Sequence, residues 1–207
     1  MKDIIIVDDH PVVIMALRIL LDTNGFNVIA TLDNGVDALK VIRQKKPDAV
    51  IIDISIPKLD GIEVVKRLNQ SIAPPKILVL TAQPASIFAN RCLHAGASGY
   101  VSKLDDLEEV IIGTKAILAG YSYYQNIKKS SKSDEVTQSE SDFLDTLSSR
   151  EIIVLQQLSS GYSNREIAER MLLSEKTIST YKQSIMKKIN AQSLVDVVDI
   201  ARRNGIV

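Results

Sequence analysis

Through residues 1–120, short runs of β-branched apolar residues alternate with stretches of helical periodicity, an alternation that leaves few folds open. The runs fall at residues 4–7, 28–32, 49–52, 77–80 and 99–101. A run that is apolar at every position, as residues 49–52 are, needs cover on both faces, the condition of a strand inside a parallel sheet. Between the runs, Val12, Met15, Ala16, Ile19 and Leu20 mark one apolar helix face, and Leu107, Val110, Ile111, Thr114 and Leu118 mark another. Five such units in series predict an α/β fold, a (βα)5 doubly wound parallel sheet, with its functional crevice at the carboxyl ends of the strands.

Beyond residue 120 the pattern changes. Residues 126–142, NIKKSSKSDEVTQSESD, are polar and Ser-rich, and residues 121–145 are assigned to a flexible linker. Residues 146–207 read as helices at 150–159, 164–171, 175–189 and 194–204, a second, all-α four-helix domain. The whole chain is neutral, yet residues 146–207 carry nine Lys+Arg against six Asp+Glu. That excess suits nucleic acid, and it also suits an ordinary solvated helix surface. No apolar run reaches the roughly 18 residues of a membrane span. The N-terminus, MKDIIIVDDHP, sets acids where a signal peptide keeps its apolar core, so a cytoplasmic protein without a membrane partner is expected. A single cysteine, Cys92, excludes an internal disulfide and is expected to be a buried small hydrophobe. With only two histidines, a Cys/His zinc site is excluded as well.

The strand ends carry the chemistry. Asp8 and Asp9 follow the first strand, Asp53 the third, Thr81 closes the fourth and Lys103 follows the fifth. Singly, each has an ordinary explanation: Asp8 and Asp9 a turn, Asp53 the opening of a loop, Thr81 a helix cap before Pro84, Lys103 a surface charge. In a parallel sheet all of them share one rim. Three carboxylates converging there repel unless a cation or a proton intervenes, and an all-oxygen donor set suits Mg²⁺. An Asp held against Mg²⁺ can act as nucleophile toward a phosphoryl group, with Thr81 and Lys103 meeting the oxygens of the acyl phosphate.

The stretches VDDHP, DISIPKLDG from Asp53, LTAQ and GYVSK resemble, in order and spacing, the receiver domain of bacterial response regulators. The resemblance implies a receiver that takes a phosphoryl group onto Asp53 from the phosphohistidine of a sensor histidine kinase. It also implies Mg²⁺ bound by Asp9 directly, by Asp8 largely through water, and by Asp53 and the Ser55 carbonyl. Thr81 and Tyr100 match the family's switch pair, and Ser55 and Gln83 flank the path of an attacking water. One departure is Leu104, where many receivers carry a proline after the lysine, so the loop that aims Lys103 is expected to be set differently.

In the C-terminal piece, Ser163 and Ser174 are helix-start signals for two successive helices, with only Leu172, Leu173 and Ser174 between those helices. This is helix-turn-helix spacing, which a small bundle without ligand shares. After Glu175 the second helix carries no acid. Its expected phosphate contacts are Lys176, Thr177, Tyr181, Lys182 and Lys187, and its expected base-edge contacts are Ser179, Thr180 and Gln183. LSSREIIVLQQLSSGYSNREIA and SEKTISTYKQSIMKKI resemble the LuxR-type DNA-binding domain. With the receiver this gives the NarL/FixJ class of response regulators, and STYK and SL resemble the branch that holds BvgA and EvgA. The branch implies a multidomain hybrid kinase as donor, and the class implies promoter DNA, a homodimer and, for an activator, RNA polymerase. Leu194, Val197 and Val198 are expected to close the core from the last helix, with Val195, Asp199 and Arg203 at a dimer contact. Two competing readings remain: a DNA-binding protein whose receiver dimerises without phosphorylation, and an Asp-nucleophile phosphatase.

Overall fold

The computed structural model describes residues 1–124 and 146–206; the Ser-rich stretch expected to be a linker lies outside them. The chain forms two compact units, Met1–Lys129 and Ser130–Val207.

In the first unit, strands β1 (Lys2–Val7), β2 (Phe26–Leu32), β3 (Ala49–Ile52), β4 (Lys76–Thr81), β5 (Gly99–Ser102) and β6 (Tyr123–Tyr124) form one sheet. Its order is β2-β1-β3-β4-β5-β6, and every pairing is parallel. Helices α1 (Pro11–Thr23), α2 (Gly35–Lys45), α3 (Gly61–Asn69), α4 (Ala85–Ala95) and α5 (Glu108–Leu118) supply the crossovers. All four residues of β3 are buried, as a central parallel strand requires. One face of the sheet packs Ile4, Ile6, Ile51, Leu78, Leu80 and Val101 against Leu17 and Leu21 of α1 and Val110, Ile111 and Ile117 of α5.

Two expectations need correction. The apolar face read for α1 is only partly turned to the core: Leu20 packs against it, but Val12, Met15 and Ile19 are exposed, and full burial falls on Leu17 and Leu21, flanked by Val13 and Ile14. This helix is apolar nearly all round, PVVIMALRILLDT, so periodicity alone cannot set its phase. The second difference is β6. Residues 123 and 124, read as linker, pair with Gly99 and Tyr100 and extend the sheet by one strand.

The second unit consists of α6 (Ser149–Ser159), α7 (Asn164–Met171), α8 (Glu175–Lys188) and α9 (Leu194–Arg203). Each begins at a serine whose side chain accepts the backbone N–H three residues on: Ser148, Ser163, Ser174 and Ser193. The turn between α7 and α8 closes with Leu172 in the left-handed region and the Leu173 N–H donating to the Ala168 carbonyl at 2.9 Å. Ile152, Leu155, Ile167, Ile178, Ile185, Val197 and Ala201 fill the core. Leu194, expected to join them, is exposed with Val195, because it stands in the first turn of α9, beyond the reach of the core.

Candidate functional site

Val7 and Ile52 lie in register across β1 and β3, so Asp8 and Asp53 leave the sheet side by side. The backbone fixes both: Asp8 N donates to the Leu32 carbonyl at 3.0 Å and Asp53 N to the Val7 carbonyl at 2.9 Å. Both side chains are buried, with Asp8 2% and Asp53 4% exposed. Buried carboxylates need a counter-charge. Lys103 supplies one, its Nζ standing 2.6 Å from Asp8 Oδ2 and 2.7 Å from Asp53 Oδ2.

The loop that aims Lys103 holds itself in place without the proline. Lys103 N donates to the Thr81 carbonyl at 2.8 Å, Ser102 N to Asp105 Oδ2 at 3.2 Å and Leu104 N to Ser102 Oγ at 3.1 Å. Burial works against the Lys103 charge, but Asp53 and Asp8 together outweigh it and hold the ammonium above the usual lysine range.

Asp9 completes the acidic group and brings with it a residue the sequence reading did not include. His10 Nδ1 lies 3.1 Å from Asp8 Oδ1 and 2.8 Å from Asp9 Oδ1. The second contact has ion-pair distance without hydrogen-bond geometry, and Asp9 Oδ1 is buried without a hydrogen-bond partner. Burial raises the Asp9 pKa, Asp53 and Asp8 add to the rise, and His10 opposes it. Ligand atoms from Asp8, Asp9, His10 and Asp53 all lie within 4.8 Å of one another. A carboxylate oxygen that no hydrogen bond satisfies, beside two buried carboxylates, makes an acidic pocket compatible with a divalent metal.

Gly61 explains the close of the DISIPKLDG stretch. A Cβ there would sit 2.1 Å from the Asp53 carbonyl oxygen, so the start of α3 can approach the loop after β3 only without a side chain. The hydroxyl of Thr81 is wholly buried and does not cap α4, whose N-cap is Pro84; Thr81 Oγ1 accepts from Gln83 N at 3.4 Å. Gln83 is a junction. Its Nε2 donates to Ser55 Oγ at 3.3 Å and its carbonyl accepts the Tyr100 hydroxyl. Tyr100 is therefore turned inward, 4% exposed. The structure brings Asp8, Asp9, Asp53, Ser55, Thr81, Gln83, Tyr100 and Lys103 to one rim, and it adds His10. Cys92 is fully buried, and burial pushes its thiol up to about 12.

On α8, Lys176, Thr180, Gln183 and Lys187 are exposed at a spacing of four, three and four, one face of a helix. Thr177, Ser179, Tyr181 and Lys182 are half-buried. Three of the hydroxyls are already engaged. Thr177 Oγ1 meets Ser174 Oγ at 2.8 Å, Thr180 Oγ1 donates to the Lys176 carbonyl at 3.0 Å, and Ser179 Oγ accepts from Asn164 Nδ2 of α7 at 3.1 Å. Glu151 of α6, read from sequence only as part of a helix, is buried. Its carboxylate accepts from Ser184 Oγ at 2.6 Å and Lys188 Nζ at 2.7 Å, tying α6 to α8. Burial opposes its charge, but these donors and Ser148 hold its pKa below the usual carboxylate range. On α9, Val195, Asp199 and Arg203 are all exposed.

Residues 4–114 match the family model of the response regulator receiver domain, and residues 145–201 match that of bacterial regulatory proteins of the luxR family. Among relatives, the "virulence factors putative positive transcription regulator BvgA" of Bordetella pertussis is 48% identical over 204 residues, 98% of each chain. The "DNA-binding transcriptional activator EvgA" of Escherichia coli is 37% identical over 206 residues, again 98% of each. Among solved structures, response regulator ChrA of a heme-sensing two-component system is 28% identical, with a TM-score of 0.50 over 100% of this chain and 98% of that one. A LuxR-family response regulator from Aurantimonas sp. SI85-9A1 is 35% identical, with a TM-score of 0.57 over 59% of this chain and 89% of that one. The chain belongs to the two-component response regulators that join a receiver to a LuxR-type DNA-binding domain, and it is a transcription regulator. Among the described residues, no helix is long and apolar enough to cross a membrane.

Proposed function

We propose that this protein acts in the cytoplasm, that Asp53 accepts a phosphoryl group from the phosphohistidine of a hybrid sensor histidine kinase, and that this acyl phosphate promotes binding of a homodimer to promoter DNA. Residues 1–120 receive the group and residues 146–207 bind DNA. The observation that carries this reading is the Lys103 ammonium shared between buried Asp8 and Asp53, beside an Asp9 Oδ1 that no hydrogen bond satisfies.

In the transfer, an Asp53 carboxylate oxygen bonds to phosphorus as the phosphorus–nitrogen bond to the donor imidazole breaks. The Asp8, Asp9 and Asp53 carboxylates, with the Ser55 carbonyl, would hold Mg²⁺, which supplies charge neutralisation to the phosphoryl oxygens. Lys103 is freed from its pairing with Asp53 as that carboxylate becomes an acyl phosphate, and its ammonium pairs with a phosphoryl oxygen. The Thr81 hydroxyl donates to another. Because Gln83 N bonds to Thr81 Oγ1 and the Gln83 carbonyl receives the Tyr100 hydroxyl, a moved threonine acts on the tyrosine.

On α8, Lys176 and Lys187 meet phosphates and Thr180 and Gln183 meet base edges. Val195, Asp199 and Arg203 on α9 form the rim of the dimer contact. In an activator, the bound dimer presents a surface to RNA polymerase.

Intact-protein mass with acetyl phosphate and Mg²⁺ tests the phosphoacceptor. The reading expects one phosphate adduct that needs Mg²⁺ and is absent in Asp53→Asn. An adduct retained by that variant would move the acceptor elsewhere.

A further inference from the structure

β6 covers the edge of β5 at the point where the chain leaves the first unit, and its two tyrosines straddle the sheet. Tyr123 packs on the core that faces α5, and its hydroxyl donates to Glu109 of that helix. Its backbone N–H donates to the Ser98 carbonyl at 3.0 Å. Two glycines make room for it. A Cβ on Gly99 would stand 2.8 Å from the Tyr123 carbonyl oxygen, and one on Gly113 of α5 would stand 2.9 Å from its ring Cδ1. On the other side, the Tyr124 hydroxyl donates to the Ala97 carbonyl, just beyond α4, at 2.7 Å. Tyr124 is the direct cross-strand partner of Tyr100. As direct partners the two rings lie on one face of the sheet, and burial raises the pKa of both phenols.

A two-residue strand has little stability of its own, so its docking depends on the surface that receives it. That surface is α4, β5 and α5, with Tyr100 in its middle. We infer that Tyr123 and Tyr124 form a clasp whose docking is coupled to the Tyr100 side chain, so that the state of the acceptor site is passed to the chain that carries the DNA-binding domain. In the docked arrangement Tyr100 is turned inward on the Gln83 carbonyl, a residue that also touches Thr81 and Ser55. The clasp is a positioning element and touches no reacting atom. The inference rests on the phosphorylation reading above.

The test uses the full chain with two independent disruptions: Tyr123→Ser with Tyr124→Ser, and Gly113→Ala, which keeps both tyrosines and favours helix α5 while obstructing the Tyr123 ring. Each protein is measured for phosphate adduct by intact mass and for DNA affinity with and without acetyl phosphate. The expected result is a wild-type adduct level in both variants, and a ratio of phosphorylated to unphosphorylated affinity that falls to within about twofold of one. Formation of the adduct shows that the receiver is folded, so a merely destabilised chain is recognised. A wild-type affinity ratio in both variants would overturn the clasp while leaving phosphorylation standing. No adduct on the wild-type chain would overturn the phosphorylation reading, and the clasp with it.

Discussion

Asp53 draws its meaning from three neighbours that approach from different elements, after β1, after β5 and at the start of α3. Lys103 neutralises it, Asp8 shares that neutralisation, and Gly61 leaves the space its carbonyl occupies. Replacing Lys103 by Met removes the counter-charge of two buried carboxylates, and metal-free protein should lose about 3 kcal/mol. Divalent cation should recover most of it; thermal unfolding with and without Mg²⁺ checks this, and equal losses in both would contradict the shared counter-charge. Gly61→Ala should cost about 1–3 kcal/mol by crowding the Asp53 carbonyl, with a reduced adduct by intact mass. In sequence, Asp8, Asp9, Asp53, Thr81 and Lys103 are legible because parallel-strand ends converge whatever the packing. His10 and Gln83 were less so: the contacts of His10 Nδ1 with two carboxylates and the triple role of Gln83 arise from loop geometry that spacing does not encode.

Among the elements, α6 and α8 are joined through Glu151. Its carboxylate has a folded pKa below its unfolded value of about 4.3, so its contribution is fully present above that value. It is lost as pH falls through the folded value. Glu151→Gln should therefore destabilise the second unit by about 1–3 kcal/mol at neutral pH and flatten its acid-unfolding limb, measured by pH-dependent circular dichroism. The helix starts at Ser163 and Ser174 could be read directly, since capping is local chemistry. The burial of Glu151 could not, because an acid in a first turn looks the same whether solvent or Lys188 faces it. β6 escaped for a similar reason: two tyrosines show no period, and their place is written in Gly99 and Gly113, far off in sequence. The phase of α1 was hidden by its being apolar on every side.

For the whole molecule, the DNA contacts proposed for the exposed face of α8 are of two kinds. Lys187→Ala should weaken binding to all sequences alike and reduce the slope of log affinity against log salt by about one, whereas Gln183→Ala should lower discrimination between sites at an almost unchanged slope. Fluorescence-anisotropy titrations over a salt series on cognate and scrambled promoter fragments distinguish the two. The two units meet functionally only if the state of Asp53 reaches α8. The most direct measurement of that link is promoter affinity of the wild-type chain and of Asp53→Asn, each with Mg²⁺ and with or without acetyl phosphate. The account predicts tighter binding on phosphorylation for the wild-type chain and no response for Asp53→Asn; a wild-type chain that carries the adduct and binds DNA no more tightly would contradict it.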